Sequence, residues 1–232
     1  MQTMAAIPWG RVAHELDAQG NAVIENLLEP GECQAISNLY EQDRLFRSRI
    51  VMQQHGFGRG EYKYFKYPLP EIVTDLRTTA YPPLASIANR WNAALRIDAR
   101  FPENHAEFLK HCHRDGQTKP TPLVLRYAAD DYNCLHQDLY GAHVFPLQLA
   151  ILLSAPGKHF TGGEFVITEQ RPRMQSRPIV VPLRQGDGVV FAVNHRPVQG
   201  KNGAYRVTMR HGVSRVLSGE RFTLGIIFHD AA

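Results

Sequence analysis

Cysteine is scarce in this chain: Cys33, Cys112 and Cys134 are the three in 232 residues, an odd number with no CxxC spacing. That excludes a disulfide framework and a thiolate zinc site, and it fits thiols kept reduced in a cytoplasm. Long apolar runs are missing too. The longest, VFPLQLAILL, is interrupted by Pro146 and Gln148 and is about half of what a membrane-crossing helix needs. The N-terminal stretch MQTMAAIPWGRV has neither the basic start nor the apolar run of a signal peptide, so a cytoplasmic protein with no membrane association is expected. No repeat or low-complexity tract is present, which removes solenoids and charged tails from consideration. Nor is there a large excess of one charge. A net charge of +4 is compatible with a phosphate-bearing partner without requiring one.

What is present is ordinary for a globular protein: 44% apolar and 21% charged residues, in a length that suits one structural domain. Residues 1–119 read as a helical and mixed support region. Arg11 to Asp17 is a short helix stopped at Gly20, and NAVIENLL is strand-like. Pro30 and Gly31 open a helix with Cys33, Ile36 and Tyr40 on one face. PLASIANRWNAAL carries Leu84, Ile87, Trp91 and Leu95 on a single stripe, and Asn104 with Glu107 resembles a capping box. His111 and His113 flank Cys112, but in a helix they diverge by about 200° and are expected to be exposed. From residue 120 onward strands take over. TPLVLRY, LQLAILL, GEFVIT, IVVPL, GVVFAV, YRVTM and FTLGIIF are short apolar or alternating runs between turn signals, the pattern of a sandwich or jelly roll. The expected class is therefore α+β, a jelly-roll core at 120–232 braced by N-terminal helices.

The sharpest chemical signal is LHQD. In a strand, side chains two apart point the same way, so His136 and Asp138 can share one metal ion while Gln137 faces away. They are two of the three ligands of a two-histidine, one-carboxylate site, which leaves positions open on Fe(II). Cys134 would share their face, but as a small core thiol. The third ligand must be a histidine from elsewhere. His211, with Arg221 ten positions later, fits a metal-plus-dicarboxylate site, because a guanidinium fork can hold one carboxylate while the other end of the acid chelates the metal. His195 with Arg206 is nearly a copy of that arrangement. His55, His143, His159 and His229 have no partner at ligand spacing and read as surface or hydrogen-bonded residues.

These residues also carry a resemblance. RYA, six residues, then LHQD, and later HGV with an RxTL strand resemble the Fe(II) and 2-oxoglutarate dependent dioxygenases. The first block is similar to that of the AlkB-type nucleic-acid demethylases, and the spacing of HGVxxVxSGxRF is nearer the prolyl 4-hydroxylase branch. The run from 120 to 230, with FRSRIVMQQHGFGRGEYKYF, looks like a family of bacterial oxygenases expected to remove methyl groups from damaged DNA bases. The chain departs from the AlkB pattern at Leu125, where an asparagine is usual, and at Ile227, where a second arginine is usual. The resemblance implies a double-stranded β-helix with Fe(II) on His136, Asp138 and His211. It also implies 2-oxoglutarate and O2 as co-substrates, with Arg221, Thr223 and Tyr127 around the far carboxylate. His211 is preferred over His195 because HGV and RxTL match the superfamily; the His195 segment then becomes an insertion able to close over the substrate.

Substrate is less sharply written. Residues 47–68 form a candidate substrate lid, rich in glycine, aromatics and basic residues. There Arg47, Arg49, Tyr62, Lys63 and Tyr64 could stack on bases and pair with phosphates; the competing reading is a hairpin whose aromatics pack on the core. Arg171, Arg173 and Arg177 read as a solvated hairpin tip. Three functions follow. The first is oxidative demethylation of alkylated bases in single-stranded or flipped nucleic acid, a DNA-repair role. The second is a protein side-chain or free amino-acid hydroxylase of prolyl 4-hydroxylase type, and the third a non-catalytic jelly roll binding a sugar or small acid. No obligate protein partner is evident.

Overall fold

The computed structural model describes residues 6–139 and 141–232. Four helices, α1 (Trp9–Gln19), α2 (Pro30–Asn38), α3 (Glu71–Ala94) and α4 (His105–Arg114), pack against a strand-rich body. The strands of the N-terminal half are β1 (Asn21–Ile24), β2 (Phe46–Val51), β3 (Gly58–Arg59) and β4 (Glu61–Phe65). Those of the middle are β5 (Leu123–Tyr127), β6 (Tyr132–His136), β7 (Leu147–Leu152), β8 (Phe160–Gly162), β9 (Phe165–Gln170) and β10 (Arg177–Val181). The C-terminal set is β11 (Gly188–Ala192), β12 (His195–Gly200), β13 (Gly203–Val213), β14 (Val216–Gly219) and β15 (Arg221–Ile226).

Seven strands form the larger sheet, in the order β1-β11-β7-β15-β5-β4-β2, and every neighbouring pair is antiparallel. A second sheet runs β10-β9-β13-β6-β3 with β12 also paired to β13, and β8 with β14 makes a small third pair. The class is the expected α+β jelly roll. Every residue of β7 is buried, because helices cover one face of the larger sheet and the second sheet covers the other. On the helical side Val73, Leu76, Ala80, Leu84 and Trp91 of α3 join Leu149, Ile151, Val190 and Leu224 in one continuous core.

α3 differs from the sequence expectation. It begins at Glu71, well ahead of Pro83, and runs through Pro82 and Pro83. Each proline removes a helix donor, a cost of about 3 kcal/mol in an isolated helix. Here the apolar stripe continues upstream through Val73, Leu76 and Ala80, and its burial outweighs the interruption. Residues 47–68, the candidate lid, are built into both sheets: β2 pairs β4 and β4 pairs β5 in the larger sheet, while β3 pairs β6 in the second. No helix among the described residues is long and apolar enough to cross a membrane.

Candidate functional site

β6 and β13 lie side by side in the second sheet, and their register sets His211 directly opposite His136. The two imidazole centroids are 4.2 Å apart. His136 is the last residue of β6, and Asp138 lies just beyond the strand, its carboxylate 3.5 Å from His136 Nε2 and 3.4 Å from His211 Nε2. One ligand atom from each of the three residues falls within 4.8 Å of the others, a grouping that could hold a metal ion. The donor set is that of an open Fe(II) site.

Local structure aims these groups. The His136 Nδ1–H donates to the Cys134 carbonyl at 2.8 Å, which leaves Nε2 with its lone pair toward Asp138. The Phe191 ring centroid is 4.5 Å from that of His211, with Phe165 at 6.1 Å, so the imidazole is held by packing on its apolar side. Gly212 follows because a Cβ there would lie 2.6 Å from the Asn133 carbonyl oxygen; only glycine lets β13 approach β6 this closely. Burial pushes the Asp138 carboxyl upward, but hydrogen bonds and charge from His136 and His211 outweigh it and hold Asp138 well below the usual carboxylate range. Burial lowers His136, yet Asp138 leaves it raised on balance; His211 is lowered by burial and by His136.

A cavity of about 210 Å³ connects this cluster to the far end of the larger sheet. There β15 pairs β5 so that Arg221 faces Tyr127 and Thr223 faces Leu125. Arg221 is 1% exposed; its Nη1 donates to Thr223 Oγ1 at 2.6 Å, and its Nε has no hydrogen-bond partner among the described residues. The guanidinium carbon lies 5.5 Å from the Tyr127 ring centroid and 5.9 Å from that of Phe160. Burial brings its pKa down to about 10, so it stays charged at neutral pH. A buried cation with an unsatisfied donor beside a hydroxyl is suited to a carboxylate.

Of the other candidates, Tyr62 and Tyr64 line the same cavity, their rings edge to face at 5.3 Å. Lys63 is turned to the opposite face of β4, where its Nζ donates to the Tyr40 carbonyl and to Asp43. Arg49 is paired with Glu61, in a separate charged depression that also holds Lys63 and Arg126. Arg47 borders that depression while its guanidinium lies 4.4 Å over the Tyr64 ring, and its Nε donates to the Pro120 carbonyl. His195 pairs with Thr208 in the β12–β13 hairpin, outside the His136 cluster, so the segment from 195 to 206 extends the second sheet.

Several expectations need correction. Cys134 is exposed: between the His211–His136 and Val213–Asn133 pairs one residue of β13, Gly212, stands opposite two of β6, Cys134 and Leu135, and this bulge breaks the alternation that would have placed Cys134 beside His136. Gln137 does not face away. Because β6 ends at His136, it lines the cavity, its amide donating to the carbonyls of Asn194 and Met209. His113 is exposed, as expected, and its ring also reaches buried Asp230 at 2.7 Å. Sequence reasoning missed Gln148 and Asn133 as cavity residues; a polar residue interrupting an apolar strand was the available signal for the first.

Comparison with known proteins gives three findings. A family model described as "Oxygenase, catalysing oxidative methylation of damaged DNA" matches residues 60–231. An uncharacterized protein of Mycobacterium tuberculosis strain H37Rv is 48% identical over 168 residues, which is 72% of this chain and 72% of that relative. Among solved structures, a prolyl-4-hydroxylase of Pseudomonas putida superposes with a TM-score of 0.56 at 14% identity, covering 97% of this chain and 99% of the other. An oxidoreductase of the 2OG-Fe(II) oxygenase family from Burkholderia pseudomallei does so with 0.55 at 17% identity, covering 97% and 92%. At such identities the likeness to these two structures is one of fold.

Proposed function

From the premise that this chain belongs to that oxygenase family, we propose that it is an Fe(II)- and 2-oxoglutarate-dependent dioxygenase that oxidatively removes methyl groups from alkylated nucleic-acid bases. The observation that carries the reading is a single cavity lined by His136, Asp138 and His211 at one part and by Arg221, Thr223 and Tyr127 at another. His136 and His211 hold the metal with Asp138. Arg221 takes the far carboxylate of 2-oxoglutarate, with the Thr223 hydroxyl fixing the guanidinium and Tyr127 shielding it from water. When bound, Fe(II) with 2-oxoglutarate and O2 supplies oxidation of a substrate C–H bond, yielding succinate and carbon dioxide.

An N-methyl group hydroxylated in this way releases formaldehyde and leaves the bare base. The chain's own part is to hold that base flat and dry. Tyr62 and Tyr64 offer ring faces and edges in the cavity wall, and Arg47 stacked on Tyr64 places a positive charge behind them. The family description supports a damaged base as substrate. A side-chain or amino-acid hydroxylase is the second reading, favoured by the prolyl-hydroxylase-like spacing after His211 and by Ile227 in place of a second arginine.

The deciding measurement is the mass of a methylated single-stranded oligonucleotide after incubation with the protein, Fe(II), 2-oxoglutarate and air. Loss of one methyl group is expected, dependent on 2-oxoglutarate and absent in His136→Ala. Succinate formed while the oligonucleotide stays intact would reject the base and favour the second reading. A His136→Ala protein as active as the parent would reject the metal assignment itself.

A further inference from the structure

Gln148 carries a buried amide nitrogen that the fold leaves unpaired among the described residues. The residue is 4% exposed, lines the cavity, and its Nε2 has no hydrogen-bond partner among the described residues. A buried amide left in that state destabilises the fold, and nearly all such groups in native proteins are satisfied. The other cavity amides are engaged: Gln137 donates to two carbonyls, and Asn133 Nδ2 is 3.4 Å from the Tyr127 hydroxyl.

Its position in the sheet says which ligand it meets. Along β7, Leu152 pairs with Thr223 and Ala150 with Gly225, so Gln148 lies four residues, roughly 13 Å, beyond the level of Thr223 and farther still from Arg221. That separation of backbone levels exceeds the carbon chain of a five-carbon diacid, whose four C–C bonds are about 1.5 Å each. On its other side Gln148 pairs with Phe191, whose ring packs on His211. Gln148 therefore neighbours the ring that packs on His211, and by register it lies toward the end of the cavity away from Arg221.

We infer that Gln148 reads the substrate: its amide N–H donates to a carbonyl oxygen on the ring of the methylated base, selecting bases with C=O beside the alkylated nitrogen over those with an amine there. This rests on the demethylase reading above and adds the base class to it. A donor in an apolar, aromatic wall discriminates strongly, because the wrong base leaves it unpaired and brings a second donor against it.

The test compares single-stranded oligonucleotides carrying 3-methylthymine, with a carbonyl on each side of the methylated nitrogen, and 1-methyladenine, with an amine beside it. The wild-type protein, loaded with Fe(II) and 2-oxoglutarate, is expected to favour the thymine lesion in kcat/KM. Gln148→Leu, or Gln148→Met as a second variant of similar volume, should lower the thymine value about tenfold, raise the adenine value because the opposed donor is gone, and leave the KM for 2-oxoglutarate within twofold. The same preference should appear in fluorescence anisotropy of the labelled oligonucleotides bound to the metal-free protein. Both variants should melt no lower than the parent, since they remove an unsatisfied donor; a residue needed only for packing would show the opposite. An active wild type whose preference survives in both variants overturns the inference alone, and so does a raised KM for 2-oxoglutarate, which would put Gln148 on the co-substrate. A wild type that turns over 2-oxoglutarate but demethylates neither lesion overturns the demethylase reading and this inference with it.

Discussion

Arg77 and Arg221 are equally hidden, 2% and 1% exposed, yet their surroundings differ in kind. Arg77, on α3, is saturated. Its Nε donates to the Ile227 carbonyl at 2.9 Å, Nη1 to the Tyr67 hydroxyl at 3.1 Å, and Nη2 to Asp230 at 2.7 Å and to the His229 carbonyl at 3.1 Å. Asp230 is bonded in turn by Tyr67 and His113. Among the described residues Arg221 has one hydrogen bond, to Thr223, an unpartnered Nε, and aromatic rings for neighbours. A buried charge costs several kcal/mol unless it is paired. The first cluster meets that cost internally and ties the C-terminus to the helices. The second leaves it unmet in a cavity, which is the mark of a group organised for a ligand.

That contrast is most sharply broken or upheld by Arg77→Leu. Removing the guanidinium strands Asp230 without its principal partner, and a loss of about 3–5 kcal/mol is expected, or a fall of roughly 10 °C in Tm. The KM for 2-oxoglutarate, measured below the new Tm, should not move. Arg221→Leu should do the reverse: raise that KM roughly 30-fold or more, as the loss of a buried charge-assisted contact implies, with Tm unchanged or higher. If both variants melt equally low, the two arginines are alike and the distinction collapses.

How much of this was legible in the chain follows from distance along it. His136 and Asp138 sit two apart, and His211 and Arg221 carry local motifs, so four of the proposed groups could be read directly; the β6–β13 and β5–β15 registers then bring together what the motifs list separately. Tyr62 and Lys63 could be read as a strand, but alternation says only that they face opposite ways, not which of them faces the cavity. The Cys134 error came from a bulge, and a bulge depends on the partner strand. The Arg77 cluster was invisible. Its members lie ahead of α3 at Tyr67, on α3, on α4 and near the C-terminus, and nothing local in Arg77 or Asp230 reveals that helix packing will bury both.

Acid should sharpen the comparison from the structural side. Burial and nearby Arg77 push His105 and His229 down to about 4 from an ordinary 6.5. Between those values the unfolded chain takes up protons that the folded chain refuses, so stability is complete above pH 6.5 and falls as the pH drops toward 4. The most each histidine contributes is ~3 kcal/mol. Urea unfolding at pH 7.5, 6 and 5 should show the midpoint falling, and His105→Gln should flatten the slope. A midpoint constant across that range would mean that neither imidazole is held neutral by the fold.

The smallest expected effect is the most discriminating, because one chemical change can be made in both regions. Thr223→Val keeps the shape of the side chain and removes the hydroxyl that accepts from Arg221 Nη1. A single side-chain hydrogen bond contributes about 1 kcal/mol, and Thr223 acts on the co-substrate only through the guanidinium it orients, so the KM for 2-oxoglutarate should rise about fivefold while Tm holds, since the arginine is already poorly satisfied. Thr121→Val removes a hydroxyl that bonds the His229 carbonyl beside Arg77. There the fold itself uses the bond, so Tm should fall by a few degrees and the KM should stay put. The same exchange of an oxygen for a methyl group then registers as affinity in one cluster and as stability in the other. Identical responses at Thr121 and Thr223 would mean that both clusters serve the fold and that the carboxylate socket lies elsewhere.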